Sequence, residues 1–409
     1  MTDDEKIFID YSNLYEHDKS SLIDATYQAW HKGFIDLKNS KPLSIDHSMS
    51  IKDQYIFIKR MFNPFWSYYV LLLRILFFRI TLKELIFVYK IRDIKKIDLY
   101  NSHFTYNNYD SFESNLIRKE PLVTIIIPTL NRYPELKNVL NDLEAQTYTN
   151  FEIIVVDQSV PFKQKFYNSY DLHIKVIKQK EKGLWRARNT AINHAKGDFI
   201  LLLDDDSRLE DGWINQHLKC IDYFNVDISA GVSISMVGAP TPQNYGYFRW
   251  ADQLDTGNTM LKTEVFQRTG LFDIQFEGMR MGDGEFGARA FMNGFRSVSN
   301  PKARRFHLKS KDGGLRETSG WDGMRPKSIF EPRPIPSVLY LYRKYWGNKS
   351  SILSLIQTLP TSLGPYSIKG TRLGKMISLI ILLFFFPFVI LQVLRAWMIS
   401  SKMLKNTIS

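Results

Sequence analysis

Hydrophobic and polar positions divide the chain into three stretches of different rhythm. From Pro121 to about Pro332, short apolar runs alternate with helical patterns. Leu122–Ile127 reads as a buried strand closed by Pro128. Phe151–Val156 reads as a second, ending at Asp157, and Ile174–Ile177 as a short third. Helical spacing covers Tyr133–Ala145 and Leu184–Ala195, and Phe199–Leu203 is a further strand. Continuous apolar strands alternating with helices predict an α/β fold, a mostly parallel sheet with helices on both faces.

The flanking stretches are helical in pattern. Residues 1–119 are rich in aromatics, and Trp66–Lys90 is strongly apolar but interrupted by Arg74, Arg79, Lys83, Glu84 and Lys90. On one helix Arg79, Lys83 and Lys90 would share a side, which suits either a membrane interface or a packed helix with its basic side in water. In residues 333–409, Met376–Leu394 is uncharged and as a helix would be about 28 Å long, close to a bilayer core. It could span a membrane, lie in its plane or re-enter it, or be buried in a soluble fold. Pro387 is placed to kink it.

Charge sharpens this picture. The net charge is +12, yet from Phe286 to Ser409 Lys and Arg outnumber Asp and Glu 20 to 4. A basic C-terminal part implies an anionic partner, and beside apolar segments a membrane is expected rather than nucleic acid, for which no recognised module is present. The single cysteine, Cys220, excludes an internal disulfide and a cysteine-rich metal site. The acidic start Met1–Glu5, with no apolar stretch behind it, is unlike a secretory signal.

The chemistry concentrates at Asp204-Asp205-Asp206, directly after the run Phe199–Leu203. Three carboxylates at a sheet edge repel one another and lose solvation, and a divalent cation relieves both costs. Ligands of open α/β sheets bind outside the carboxyl ends of strands. The competing reading is a solvated acidic turn that caps a helix starting near Asp211.

Four segments occur in order: PLVTIIIPTLNR (121–132), IIVVDQS (153–159), GLWRARN (183–189) and GDFILLLDDDS (197–207). Together they resemble the family 2 glycosyltransferases of the GT-A fold, from Pro121 to roughly Arg316. The resemblance implies a nucleotide-diphosphate-sugar donor, a hydroxyl acceptor, Mn²⁺ or Mg²⁺, and inversion at the anomeric carbon. It implies nucleotide-sugar contacts for Pro128, Thr129, Asn131 and Arg132 in the first loop. Asp157 is expected near the base, Arg188 and Asn189 in the nucleotide pocket, and Asp204 at the ribose, with Asp205 between it and the metal ligand Asp206. His307 is the expected second metal ligand, or else a structural histidine. Asp283 aligns with the general base, and Glu285, two residues on, could cover that role; both could instead cap the helix that follows. Thr256–Met260 and Gly270–Asp273 resemble the segment where donor sugar and acceptor meet. Lys309, Lys311 and Arg316 form a basic loop that could close over the diphosphate or stay solvated.

Three positions depart from the family pattern: Leu130 where a tyrosine is frequent, Gln158 where a second Asp is, and Gly282 in place of a Glu. Gly282 leaves open a non-catalytic scaffold. A nucleotidyltransferase also pairs an α/β sheet with acids, but would need a glycine-rich loop where the chain has Pro128–Arg132. The expected organisation is a helical region at 1–119, a GT-A domain at 120–332 and a membrane-associating helical region at 333–409. A lipid-linked or glycan acceptor at the cytoplasmic face of a membrane fits it.

Overall fold

The computed structural model of the protein describes residues 9–36, 49–237, 240–251, 254–309, 314–315, 323–326, 328, 330–364, 366–368 and 371–408. Its centre is a sheet of β1 (Val123–Thr129), β2 (Phe151–Asp157), β3 (Ile174–Lys178), β4 (Phe199–Leu203), β5 (Ser207–Leu209), β6 (Ile228–Ser235), β7 (Arg249–Trp250), β8 (Asn258–Lys262) and β9 (Ser297–His307). The order is β3-β2-β1-β4-β8-β6-β9-β5, with β7 also on β9. The half β3-β2-β1-β4 is parallel. Beyond β4 the sheet is mixed: β8 runs antiparallel to β4 and β6, and β9 runs parallel to β6. The strands past β4 bury polar residues such as Ser229, Asn258, Thr259 and Asn300, so no continuous apolar run announced them.

Period-two alternation builds two cores. Val123, Ile125 and Ile127 of β1, with Leu201 and Leu203 of β4, pack against helices Tyr133–Glu144 and Trp213–Tyr223. Ile126, Ile200 and Leu202 face the other way, against helices Leu184–Ile192, Thr263–Thr269 and Gly282–Met292. β1 does not close before Pro128 but runs through it to Thr129. Its pairing with β4 stops at Ile126, so from there one flank needs no ladder donor and proline is tolerated.

The N-terminal region packs on the far end of the sheet through Trp30, Tyr106 and Tyr109, beside Phe224, Phe248 and Trp250. The stretch Trp66–Lys90 is two helices, not one: α1 (Phe65–Leu76) and α2 (Leu82–Lys90). The chain turns at Phe78, which has a left-handed φ of 52°, and Thr81 caps the second helix by accepting from the Glu84 amide. Arg79 therefore lies in the turn and shares no helix face with Lys83 and Lys90.

Two long helices close the chain, α3 (Pro336–Ser362) and α4 (Arg372–Ile408). α3 breaks at Gly347, and α4 departs from helical geometry at Phe385, two residues before Pro387. Val389, Gln392, Ala396, Ser400 and Met403 form the buried stripe of α4, while Leu383, Phe384, Leu391 and Met398 are exposed. Leu373–Asn406 is long and apolar enough to cross a membrane.

Candidate active site

β4 delivers the three acids to the edge of the sheet, where all are largely buried. They form no solvated turn, and the helix that follows at Trp213 has no side-chain cap. Each acid has its own partners. Asp204 accepts from Arg188 (2.7 Å) and from Arg305 (2.9 Å). Asp205 accepts from the Thr129 hydroxyl (2.8 Å) and from Arg132 (3.2 Å). Oδ2 of Asp206 lies 3.2 Å from both Arg132 Nη1 and His307 Nε2. Burial pushes the Asp205 carboxyl up to about 7, against the pull of Arg132 and with the push of Asp206. Burial opposes ionisation of Asp206 as well, but the His307 hydrogen bond and charge, with Arg132, outweigh it and hold that carboxyl below its ordinary range.

Arg305 was not among the residues singled out from sequence. It sits two residues before His307 on β9, so strand alternation puts both on one face. Its guanidinium also meets Asp255 (3.2 Å) and Ser233 (2.9 Å) and is almost wholly buried. Gly257 makes this possible, since a Cβ there would stand 1.9 Å from Arg305 Nη1 and 2.3 Å from Asp204 Oδ2. The neighbouring Asn258 braces the sheet. Its carbonyl oxygen accepts from Trp213 and from His217 Nε2, and its amide donates to Val232 and Ala303 where β9 bulges against β6.

The first loop is tied down on both sides. Asn131, at φ 56°, donates its amide to Ser159 Oγ (2.7 Å) and accepts from the Val160 amide (2.9 Å). Asp157, expected at the base, is fully buried; it accepts from the Tyr133 and Tyr167 hydroxyls and from the Ser159 amide, which leaves little capacity for a ligand. Asn189 makes two hydrogen bonds with the backbone of Phe272 and so positions the Gly270–Asp273 segment. Arg186 is exposed and pairs with Glu181. Glu277, also missed from sequence, accepts from the amides of Leu184 and Arg186 and caps that helix.

The helix Gly282–Met292 separates the two catalytic candidates. Asp283 stays partly accessible in its first turn. Glu285 is 0% exposed and bound by Arg289 (3.0 Å), Lys344 (2.8 Å) and the Tyr345 hydroxyl (2.8 Å). A carboxylate so enclosed cannot reach an acceptor, so the geometry removes Glu285 from the catalytic candidates and makes it the tie between this helix and α3. Gly282 also has a local reason: a Cβ there would stand 2.4 Å from the Trp185 ring.

Residues 124–282 match the family described as Glycosyl transferase family 2. The chain carries a family 2 glycosyltransferase domain. Among curated proteins it is 31% identical over 113 residues to glycosyltransferase GlyA of Streptococcus pneumoniae, covering 27% of this chain and 16% of that protein. It is 29% identical over 118 residues to glycosyltransferase AglE of Haloferax volcanii, covering 27% and 39%. It is 25% identical over 225 residues to the poly(ribitol-phosphate) beta-N-acetylglucosaminyltransferase TarS of Staphylococcus aureus, covering 51% and 38%. The chain thus spans well under half the length of these relatives. Residues 1–349 of S. aureus TarS in complex with UDP-GlcNAc superpose with a TM-score of 0.42 at 19% identity, over 54% of this chain and 64% of that one.

The ligating atoms of Asp204 and Asp206, within the matched residues, and of His307, beyond them, all lie within 4.8 Å of one another. Two carboxylates and an imidazole suit Mn²⁺ or Mg²⁺, so the residues present fit a divalent cation. Asp204, expected at the ribose, lies beside Asp206 and His307, the two ligands expected from sequence. Of the basic loop, Lys309 is exposed and donates to the Val237 carbonyl (3.1 Å), while Lys311 and Arg316 lie outside the described residues. Within that loop the Gly314 amide donates to Leu130 (2.9 Å), and Gly314 lies against the Arg132 guanidinium.

Proposed function

We propose that the family 2 domain transfers a sugar from a nucleotide-diphosphate donor to a hydroxyl acceptor with inversion at the anomeric carbon. The observation that carries this reading is the convergence of Asp204, Asp206 and His307 at the carboxyl end of β4, beside Arg132. Asp206 and His307, with Asp204, would hold Mn²⁺ or Mg²⁺, which when bound offsets the charge of the leaving diphosphate. Arg188 and Arg305 fix the Asp204 carboxylate where the ribose is expected. Thr129, Asn131 and Arg132 form the rim on which the nucleotide would rest, with Pro128 behind them. Asp283 takes the proton of the acceptor hydroxyl as that oxygen attacks opposite the leaving group. The bond from anomeric carbon to diphosphate oxygen breaks as the new glycosidic bond forms, and no covalent enzyme intermediate is needed.

The acceptor we propose is a lipid-linked glycan at the cytoplasmic face of a membrane. Supporting this are the exposed apolar side of α4, its basic flanks Lys375, Arg395 and Lys402, and its attachment to the domain through Arg343 and the Trp397 carbonyl (3.0 Å). The scaffold reading loses its support, because Trp185 accounts for Gly282. The test is a donor screen on detergent-purified protein, following nucleoside diphosphate release from UDP-, GDP- and dTDP-sugars with manganese, magnesium or EDTA. Release from one donor that EDTA abolishes is expected. Silence with every donor, with and without lipid extract, would refute the assignment.

A further inference from the structure

α1 and α2, joined in a hairpin by the turn at Phe78, pack one side on Tyr55 and Ile56 and leave an exposed apolar surface on the other. Phe65, Leu72, Leu76, Phe77 and Leu82 are all exposed, and Phe78 at the tip is 96% exposed. Phe78 also holds a left-handed backbone, φ 52°, which bulky side chains disfavour. Two adjacent phenyl rings presented to water at a turn are unfavourable, and that exposure cost is recovered if the rings enter a nonpolar phase.

The charges are arranged for such a phase. Arg74 and Glu84, the two ionic groups inside the hairpin, bind each other through two hydrogen bonds of 2.6 and 3.0 Å. Arg74 also donates to the Arg79 carbonyl (2.8 Å), and the Tyr55 hydroxyl donates to Glu84 (2.7 Å). Around this neutral pair Arg79, Lys83, Lys90 and Arg92 are exposed, and Arg92 pairs with the exposed Asp93. α1 has 12 residues, too few to cross a bilayer, which takes about 20. The hairpin meets α3 where the Tyr69 hydroxyl donates to the Leu353 carbonyl (3.3 Å), between exposed Ile352 and Ile356.

We propose that this hairpin is a second membrane contact, seated in the interface of one leaflet that carries anionic lipid. Phe77 and Phe78 enter the acyl region to a depth of about 5–10 Å, and Arg79, Lys83 and Lys90 reach the phosphates. The Arg74–Glu84 clamp keeps the turn closed and leaves no unpaired charge below the headgroups. Two surfaces on one body, the hairpin and α4, fix the orientation of the domain over the bilayer, whereas one helix would leave it free to swivel. The proposal rests on α4 only for bringing the chain to a membrane.

The test uses full-length protein in vesicles of phosphatidylcholine and phosphatidylglycerol. Nitroxide labels are placed by Phe78→Cys or Leu82→Cys, with Leu383→Cys on α4 and Asn141→Cys on a domain surface helix as references. Cys220 is buried and leaves the native chain unlabelled. Collision with oxygen, which concentrates in lipid, is compared with collision with a water-soluble nickel chelate. At both hairpin sites the oxygen-to-nickel ratio should exceed that at Asn141 several-fold. A water-like ratio at Phe78 and Leu82 beside a lipid-like one at Leu383 overturns the hairpin proposal alone. Water-like ratios at all sites also sink the membrane reading of α4. Shielding of the hairpin from both reagents overturns the proposal in favour of a protein partner.

Discussion

Gly257→Ala offers the sharpest test of how the acidic site is held. The added methyl would stand 1.9 Å from Arg305 Nη1, whereas van der Waals contact needs about 3.5 Å, so the guanidinium must retreat by about 1.5 Å. That retreat breaks its 2.9 Å bond to Asp204. Arg305 is 1% exposed, so no water replaces the lost partner. Disrupting one side of a buried ion pair costs about 3–5 kcal/mol. Asp204 keeps Arg188, and Arg305 keeps Asp255, which places the loss near 3 kcal/mol, at the lower end of that range. Backbone conformation works the other way, because Gly257 is not in the left-handed region and alanine there would by itself stabilise by about 0.4–1 kcal/mol. The assay is the unfolding midpoint of full-length protein in detergent, in a cycle with Arg305→Ala. Truncating Arg305 removes the nearer clash and leaves the one at 2.3 Å from Asp204 Oδ2, so the penalty of Gly257→Ala shrinks in that background without vanishing. A wild-type midpoint for Gly257→Ala, or strictly additive losses, would refute the reasoning.

Other expectations follow from the same geometry. Asp283→Asn should bind donor as before and lose about 10²–10⁴-fold in transfer, the contribution of a general base; near-normal turnover would end that assignment. Glu285→Ala strands Arg289 and Lys344 beside a buried void and should cost about 3–5 kcal/mol, while donor affinity measured by calorimetry on the folded fraction stays within a few-fold. His217 is fully buried between Ser229 and Asn258, and burial lowers its pKa from 6.5 to about 4. The unfolded chain protonates it near 6.5 and the folded chain only near 4, so its contribution is complete above that window. Acidification from pH 6.5 to 4 therefore removes about 3 kcal/mol. His217→Gln, which cannot titrate, should flatten this part of the stability profile, and parallel profiles for the two proteins would contradict it.

The apolar runs made the parallel half of the sheet legible, because a strand buried on both faces must be apolar at nearly every position. The ends of β2, β4 and the helix at Tyr133 fell where the sequence placed them. Asp204, Asp206 and His307 were nominated by resemblance, and the fold brings them together. The sheet beyond β4 was illegible because its buried positions are polar and satisfied by partners distant in sequence, such as Asn258 with Val232 and Ala303. The break in Trp66–Lys90 was hidden for a related reason. Nothing local forbids one helix there, and the turn is held by Arg74 reaching Glu84 ten residues away.

Local sequence thus determined which segments form strands and helices and which carboxylates end β4, since periodicity and burial act within a few residues of the chain. Only the tertiary structure decided what those acids do. Asp283 and Glu285 are two residues apart and chemically alike, yet one stays accessible while Lys344 and Tyr345, some sixty residues on, enclose the other. Arg305 and Arg188 reach Asp204 from opposite sides along the chain, and Gly257 supplies the space between. The role of an ionisable group is set by the charges and solvent that surround it, and those are fixed by contacts far apart in sequence.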